Sequence, residues 1–286
     1  YSPEITGEYE QNRAEEVDCE RKNIICSQKS QTGKYNCAGY AHRRAFCHPT
    51  YKYYEAHQSN IKVRIYEFID KTFPVRDLPI LLPAALRTKL PPLPNLNFAP
   101  ATDTGSFAQS PLLSEFIAAN DYTLITGDLS KNSATAIALA TALTPADHQA
   151  EPQRVLLTRD AIDLLAPNME QLLANPNLTL FTSSAQLQKV FRAVYYPKMI
   201  MLSAPLLPIL EAIHKFTLTY PATILTFHEG QLITARDGRV ITTPLTDTGY
   251  SLISLWSGEL AAKVAAFNLY NPTKPLESTT AALLYR

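Results

Sequence analysis

Glycine is scarce in this chain. Nine glycines occur in 286 residues, about half the ordinary frequency of roughly 7%. No G-x-G-x-x-G string and no G-x-x-x-x-G-K-[ST] string occurs, which excludes the standard dinucleotide and P-loop phosphate cradles. An excess of one charge is lacking too. The chain carries 26 basic and 26 acidic side chains, so bulk electrostatic capture of nucleic acid is not expected. No apolar run approaches the roughly 18 to 20 residues that cross a bilayer, and the first residues are polar rather than basic and then apolar. Neither a membrane span nor a retained signal peptide is expected. The four cysteines include no Cys-x-x-Cys pair, so no standard zinc finger is present.

What remains is the composition of a soluble globular protein, 46% hydrophobic and 18% charged, long enough for one large domain or a domain with an appendage. The distribution is uneven. All four cysteines and about half of the tyrosines fall in the first quarter, whereas the rest is rich in Ala, Leu, Thr and Pro. Residues 1–58 read as a Cys/Tyr-rich extension, acidic from Glu8 to Glu20 and basic with tyrosines from Arg21 to Arg64. Residues 59–96 read as a Pro-rich connector, with a short alternating strand at Ile61–Phe68 followed by Pro74, Pro79, Pro83, Pro91, Pro92 and Pro94. Each proline removes a donor and fixes φ, so this stretch is expected to be a linker or a surface loop.

From about Asn97 the pattern becomes regular. Helices are expected at Leu112–Ala119, Asn132–Leu143, Asp160–Leu165 and Ser184–Phe191, and short strands at Tyr122–Ile125, Arg154–Thr158 and Leu178–Thr182. Leu206, Leu207, Ile209, Leu210, Ile213 and Phe216 recur at helical spacing, which places an amphipathic helix over Pro205–Thr217. Thr223–Phe227, Gln231–Ala235 and Arg239–Thr243 alternate with period two, and Asp237-Gly238 signals a type I′ hairpin. A helix over Ser257–Leu269 closes the pattern. Strands alternating with helices, then a meander and a terminal helix, predict an α/β fold with a largely parallel sheet flanked by helices and a C-terminal β-meander.

The landmarks of residues 97–286 resemble, in their order, the NAD(P)H-hydrate dehydratase branch of the ribokinase-like superfamily. Ile125-Thr126-Gly127-Asp128-Leu129 stands where that family has its glycine-rich strand end, and Thr158 to Leu165 looks like Asp-Ala-Asp-Ala-Leu followed by Asn-Leu-Leu. Phe227-His228-Glu229-Gly230 matches the strand and Lys-Gly turn. Ser257-Gly258-Glu259-Leu260-Ala261 looks like Thr-Gly-Asp-x-Leu, and Asn271 to Glu277 like the loop before the last helix. The resemblance implies a ribokinase-like α/β domain that uses ADP or ATP with Mg to phosphorylate and dehydrate damaged, hydrated NAD(P)H. It further implies an adenine nucleotide and a nicotinamide-type small molecule as partners, a homo-oligomer, and a cytoplasmic location. Glu259 would be the general base, Ser257 and Gly258 the anion hole, and His228, Gly230, Asp160 and Gly127 would lie along the nucleotide.

Four departures alter that picture. Trp256 replaces the first glycine of the anion hole, His228 the nucleotide-side lysine, and Thr158 the first Asp of Asp-x-Asp, while Phe181 to Gln186 carries no Pro-His-x-Gly-Glu. The opening strand and glycine-rich helix have no visible counterpart before Asn97. Two functions therefore stay open: a divergent dehydratase-like enzyme, and a non-catalytic binding or assembly protein built on the same scaffold.

Each candidate also has a structural reading. Glu259 and Asp160 complement helix dipoles, Asp128 is a plain cap, His228 is a surface turn residue, and His214 flanks an apolar stripe. Cys19, Cys26, Cys37 and Cys47, with His42 and His48 among them, allow a zinc site, two disulfides or free thiols. The basic, tyrosine-rich stretch around Lys34–Tyr54 has the cations and rings that single strands favour, and equally the make-up of a solvated extension.

Overall fold

A computed structural model of the chain describes residues 26–29, 35–37, 65–66, 68–75, 77–90, 95–126, 129, 132–144, 152–201, 203–251, 255 and 257–285. The chain divides into two compact units, Tyr1–Asn60 and Ile61–Arg286. In the first, β1 (Cys26–Lys29) pairs antiparallel with β2 (Tyr35–Cys37), and Cys26 stands opposite Cys37. Cys19, Cys47, His42 and His48 lie outside the described residues.

The second unit is organised by strands whose neighbouring residues belong to different cores. Leu156, Phe181, Leu225 and Leu232 face one cluster; Leu157, Leu180, Ile224 and Ile233 face another. Side chains alternate across a sheet, so strands that bury apolar residues toward both sides must be covered on both faces. The sheet that results has six strands in the order β10-β9-β8-β7-β6-β5. These are β5 (Thr123–Ile125), β6 (Val155–Thr158), β7 (Leu178–Ser183), β8 (Thr223–His228), β9 (Gln231–Arg236) and β10 (Arg239–Pro244). β5 to β8 are parallel, and β8, β9 and β10 form an antiparallel meander.

Helices close both faces. One layer holds α2 (Pro111–Ala118), α3 (Ser133–Leu143), α4 (Asp160–Leu165), α5 (Met169–Leu173), α6 (Ser184–Ala193) and α7 (Leu206–Thr219). α7 buries Ile209, Ile213 and Phe216, the stripe its spacing predicts. Phe216 stacks on Phe191 of α6, with ring centroids 4.5 Å apart. After the short α8 (Leu245–Thr248), the other face is covered by α9 (Glu259–Tyr270) and α10 (Pro275–Leu284). The fold is thus the expected α/β class with a mostly parallel sheet between helices. Both meander turns have positive φ at their two central residues, Glu229 and Gly230 in one, Asp237 and Gly238 in the other. That is the type I′ signature that matches strand twist.

Within and just beyond residues 59–96 two segments carry regular structure. Residues 65–66 and 68–72 are helical (α1), so the described part of Ile61–Phe68, where alternation predicted a strand, is helix. Ile65, Ile69 and Phe73 recur every four residues and pack on Ala262 and Ala266 of α9, so the apolar stripe on a helix prevails over the period-two reading. Within the proline-rich stretch, β3 (Ile80–Pro83) and β4 (Leu96–Ala99) pair in parallel as a separate two-stranded sheet. Pro79 precedes β3 and Pro83 ends it, positions where a missing N–H is tolerated. Among the described residues, no helix is long and apolar enough to cross a membrane.

Candidate functional site

The parallel strands end toward three junctions that α/β proteins use for ligands. The first is the start of α9. Gly258 is its N-cap, with φ of +92° in the left-handed region. A side chain there would also collide with the wall, because an added Cβ would lie 2.5 Å from Cδ1 of Ile65. Only glycine meets both conditions. The same position lies 3.9 Å from Oγ1 of Thr126, just past β5, so the N-terminus of α9 abuts the C-terminal end of a parallel strand.

A twelve-residue helix presents its first amides without intrahelical acceptors, together with the positive end of its dipole. The first intrahelical bond runs from the Ala262 N–H to the Gly258 carbonyl at 2.9 Å. The Glu259 N–H donates to Oγ of Ser257 at 3.4 Å. Ser257, Gly258 and Glu259 are therefore brought together, as their order in the chain implied. Trp256, Gly127 and Asp128 lie outside the described residues.

Reading the residues in order missed a cluster near Glu259. Lys263, one turn further along α9, is buried, and its Nζ donates to the Tyr250 hydroxyl at 3.3 Å and to the Tyr285 carbonyl. The ammonium also lies 5.3 and 5.1 Å from the centroids of the Tyr250 and Tyr285 rings, within cation–π range. Burial lowers the Lys263 pKa. Burial raises that of Tyr250, and the Glu259 charge raises it further. The Tyr250 phenol, the buried Lys263 amine and the Tyr285 carbonyl thus meet near the start of α9, where the Glu259 charge acts on the phenol. One signal was available, the i, i+4 spacing of Glu259 and Lys263.

The second junction follows β6. Arg159 has φ of +57° and ψ of −133°, a conformation that strains a residue with a Cβ. Its carbonyl accepts from Nε2 of Gln186 at 2.8 Å. Gln186 also completes a capping box with Ser183 at the start of α6, and Asp163 pairs with Lys189. Asp160 is the first residue of α4. Gln186 thereby ties the β6–α4 turn to the β7–α6 turn, where the resemblance placed nucleotide contacts.

The third junction is the end of β8. His228 is buried, not on the surface, and its Nε2–H donates to the Ala204 carbonyl at 2.8 Å. Gly230, in the following turn, accepts from the Leu245 N–H at 2.8 Å and has open space where a side chain would stand. His214 lies elsewhere, its Nδ1 2.5 Å from the Gly238 carbonyl, so it fastens α7 to the meander hairpin.

The start of α9 offers backbone amides, a mandatory glycine and a helix dipole, features that suit a phosphate group. For a metal ion the fit is poorer. No group of three or more His, Cys, Asp or Glu side chains that could hold one occurs among the described residues.

No family model matches the chain, and no curated protein matches it. Solved structures do. One is a hypothetical protein from Streptococcus mutans, 17% identical, TM-score 0.46, covering 67% of this chain and 62% of its own. A second is a ribokinase-like superfamily protein from Enterococcus faecalis, 16% identical, TM-score 0.47, covering 67% and 60%. A third is an ADP complex of Bacillus subtilis pyridoxal kinase, 13% identical, TM-score 0.35, covering 53% and 58%. The chain thus spans about three fifths of the length of each. Likenesses of this size assign no activity, and the α/β class rests on the strands and helices described above.

Proposed function

We propose that this chain is a divergent ribokinase-like domain that binds an adenine nucleotide at the N-terminus of α9, a relative of the NAD(P)H-hydrate dehydratases. The observation that carries the reading is Gly258, left-handed and wedged against Ile65 at the end of β5. A glycine required at that point fixes the amides that follow it, and preorganised amides stabilise a phosphoryl group without reorganisation. Glu259 follows at once and would take the proton of a substrate hydroxyl. The nucleotide, with magnesium, supplies the phosphoryl chemistry when bound. Activity is tested with hydrated NADH and ADP or ATP, following the return of reduced-nicotinamide absorbance. Turnover that disappears in Glu259→Gln supports the reading, and turnover unchanged in that variant removes Glu259 from it.

A scaffold reading has its own support. His228 is held by the Ala204 carbonyl, and Gln186 is consumed in bonds between two turns. Side chains that bond the protein to itself in this way are unavailable to a nucleotide unless those contacts open. A chain that binds nucleotide without turnover would be such a scaffold.

A further inference from the structure

The cysteines of the first unit take no part in the site described above, and strand register brings two of them together. β1 and β2 pair antiparallel, with Cys26 opposite Cys37, Gln28 opposite Asn36 and Lys29 opposite Tyr35. Between Cys26 and Gln28 the register shifts, because β1 advances by two residues where β2 advances by one. That is the count of a β-bulge, and a bulge pins a strand against sliding along its neighbour. Residues directly opposite on antiparallel strands share one face of the ribbon, with Cα atoms about 4.5 or about 5.5 Å apart according to the kind of pair. Both values fall inside the roughly 4.4–6.8 Å that a disulfide spans.

The surroundings give such a bond a purpose. A two-stranded ribbon is only marginally stable by itself, and these strands have four and three residues. The compact unit that holds them, Tyr1–Asn60, is of a size at which a hydrophobic core usually needs a covalent or metal staple. Four cysteines allow three complete pairings, and sequence distance alone favours a different link. Cys19 and Cys26 are seven positions apart, Cys37 and Cys47 ten, and Cys26 and Cys37 eleven, and a shorter loop closes at lower entropic cost. Register and chain statistics therefore make opposite predictions.

We infer that Cys26 and Cys37 are a dithiol–disulfide pair that closes the β1–β2 ribbon when it meets an oxidant of the disulfide class. The thiolate of either cysteine attacks oxidised glutathione and releases one reduced glutathione; the other thiolate then attacks the mixed disulfide and releases the second. Two cysteine thiols are oxidised, one glutathione disulfide is reduced, and the two thiol protons end on the two glutathiones. In a reducing compartment the pair rests as free thiols. It is independent of the nucleotide site and stands whether or not the chain binds ADP.

Tryptic mapping reads the pairing, because each cysteine falls in its own peptide: Cys19 in 14–21, Cys26 in 23–29, Cys37 in 35–43 and Cys47 in 45–52. The full chain is reduced, equilibrated with oxidised glutathione, blocked with iodoacetamide and digested. The link between 23–29 and 35–43 should exceed every other intrachain link about tenfold, since register holds the two thiols at a high effective concentration, and it should vanish on reduction with dithiothreitol. In guanidinium the preference should pass to the link between 14–21 and 23–29, as loop length dictates. Cys26→Ser should leave Cys37 carrying glutathione as a stable mixed disulfide, and Cys37→Ser should do the same to Cys26. Predominance of any other link in the native chain, glutathione adducts without a link between Cys26 and Cys37, a pattern unchanged by guanidinium, or stoichiometric zinc that shields the thiols from the oxidant would each overturn the inference.

Discussion

The six-stranded sheet has two edges, and they are finished in different ways. β10 is six residues long, mostly exposed or half-buried, and ends at Pro244. Its Arg239 reaches Glu277 of α10 at 2.8 Å, and charge with proline blunts an edge against further pairing. β5 has three residues and pairs on one side only. Inside the sheet Thr226 donates to the Thr182 carbonyl at 3.1 Å, though Thr234 of β9 has no partner for its hydroxyl. At β5 Thr123 has none either, and a cavity takes the place of a neighbouring strand. The contrast teaches that a finished edge is written in the strand itself, in its length, charge and proline, whereas an unfinished one is recognised only by what fails to touch it.

The largest expected effect lies inside the sheet. Leu157→Ala in β6, fully buried, should cost about 2–5 kcal/mol. Leu124→Ala in β5, half-buried and already beside open space, should cost about 1 kcal/mol or less. Chemical denaturation of the two variants compares them directly, and equal losses would remove the distinction between centre and edge.

Gly258→Ala comes next. The left-handed backbone and the contact with Ile65 together predict a loss of about 2–4 kcal/mol, read as a lower midpoint. Gly230→Ala, with positive φ but open space, should cost only about 1 kcal/mol.

Alkaline stability sharpens the contrast by another route. Burial raises the pKa of Tyr122, next to β5, and hydrogen bonds from Thr179 and Asn268 only partly offset it; Tyr250 is raised as well. A phenol whose folded pKa exceeds its unfolded value of about 10 holds its proton longer in the fold. Its contribution is complete below about pH 10 and is lost as pH rises through the folded value. Burial raises Tyr196 and Tyr220 too, so spectrophotometric titration should show at least these four phenols ionising late, and Tyr122→Phe should remove one of them.

The smallest effect belongs to the finished edge. Arg239→Ala breaks an exposed ion pair and should cost about 0.2–1 kcal/mol, less at high salt.

These contrasts follow what the sequence could carry. The I′ turn at Asp237-Gly238 and the stripe of Ile209, Ile213 and Phe216 were legible because each depends on residues close in the chain. Ile61–Phe68 was misread because Ile65 and Ile69 satisfy a period of two and a spacing of four alike, and only Ala262 and Ala266 of α9 decide between them. β3 hid between prolines. At the candidate site, Ser257, Gly258 and Glu259 were visible as a local string. Tyr250, Lys263 and Tyr285 were not, because the cluster exists only after α9 packs against the chain end. His228 was misjudged as exposed, since its partner Ala204 is remote in sequence.

The central claim is that the N-terminus of α9 holds an adenine nucleotide, and thermal unfolding with and without magnesium ADP tests it most directly. A ligand that binds only the folded state stabilises it by about 2.7 kcal/mol at a hundredfold excess over its dissociation constant. The account predicts a concentration-dependent rise in the midpoint for the parent chain and for Glu259→Gln, whose amides are intact, and a much smaller rise for Gly258→Ala measured from its own lower baseline. A midpoint unmoved by millimolar nucleotide would contradict it.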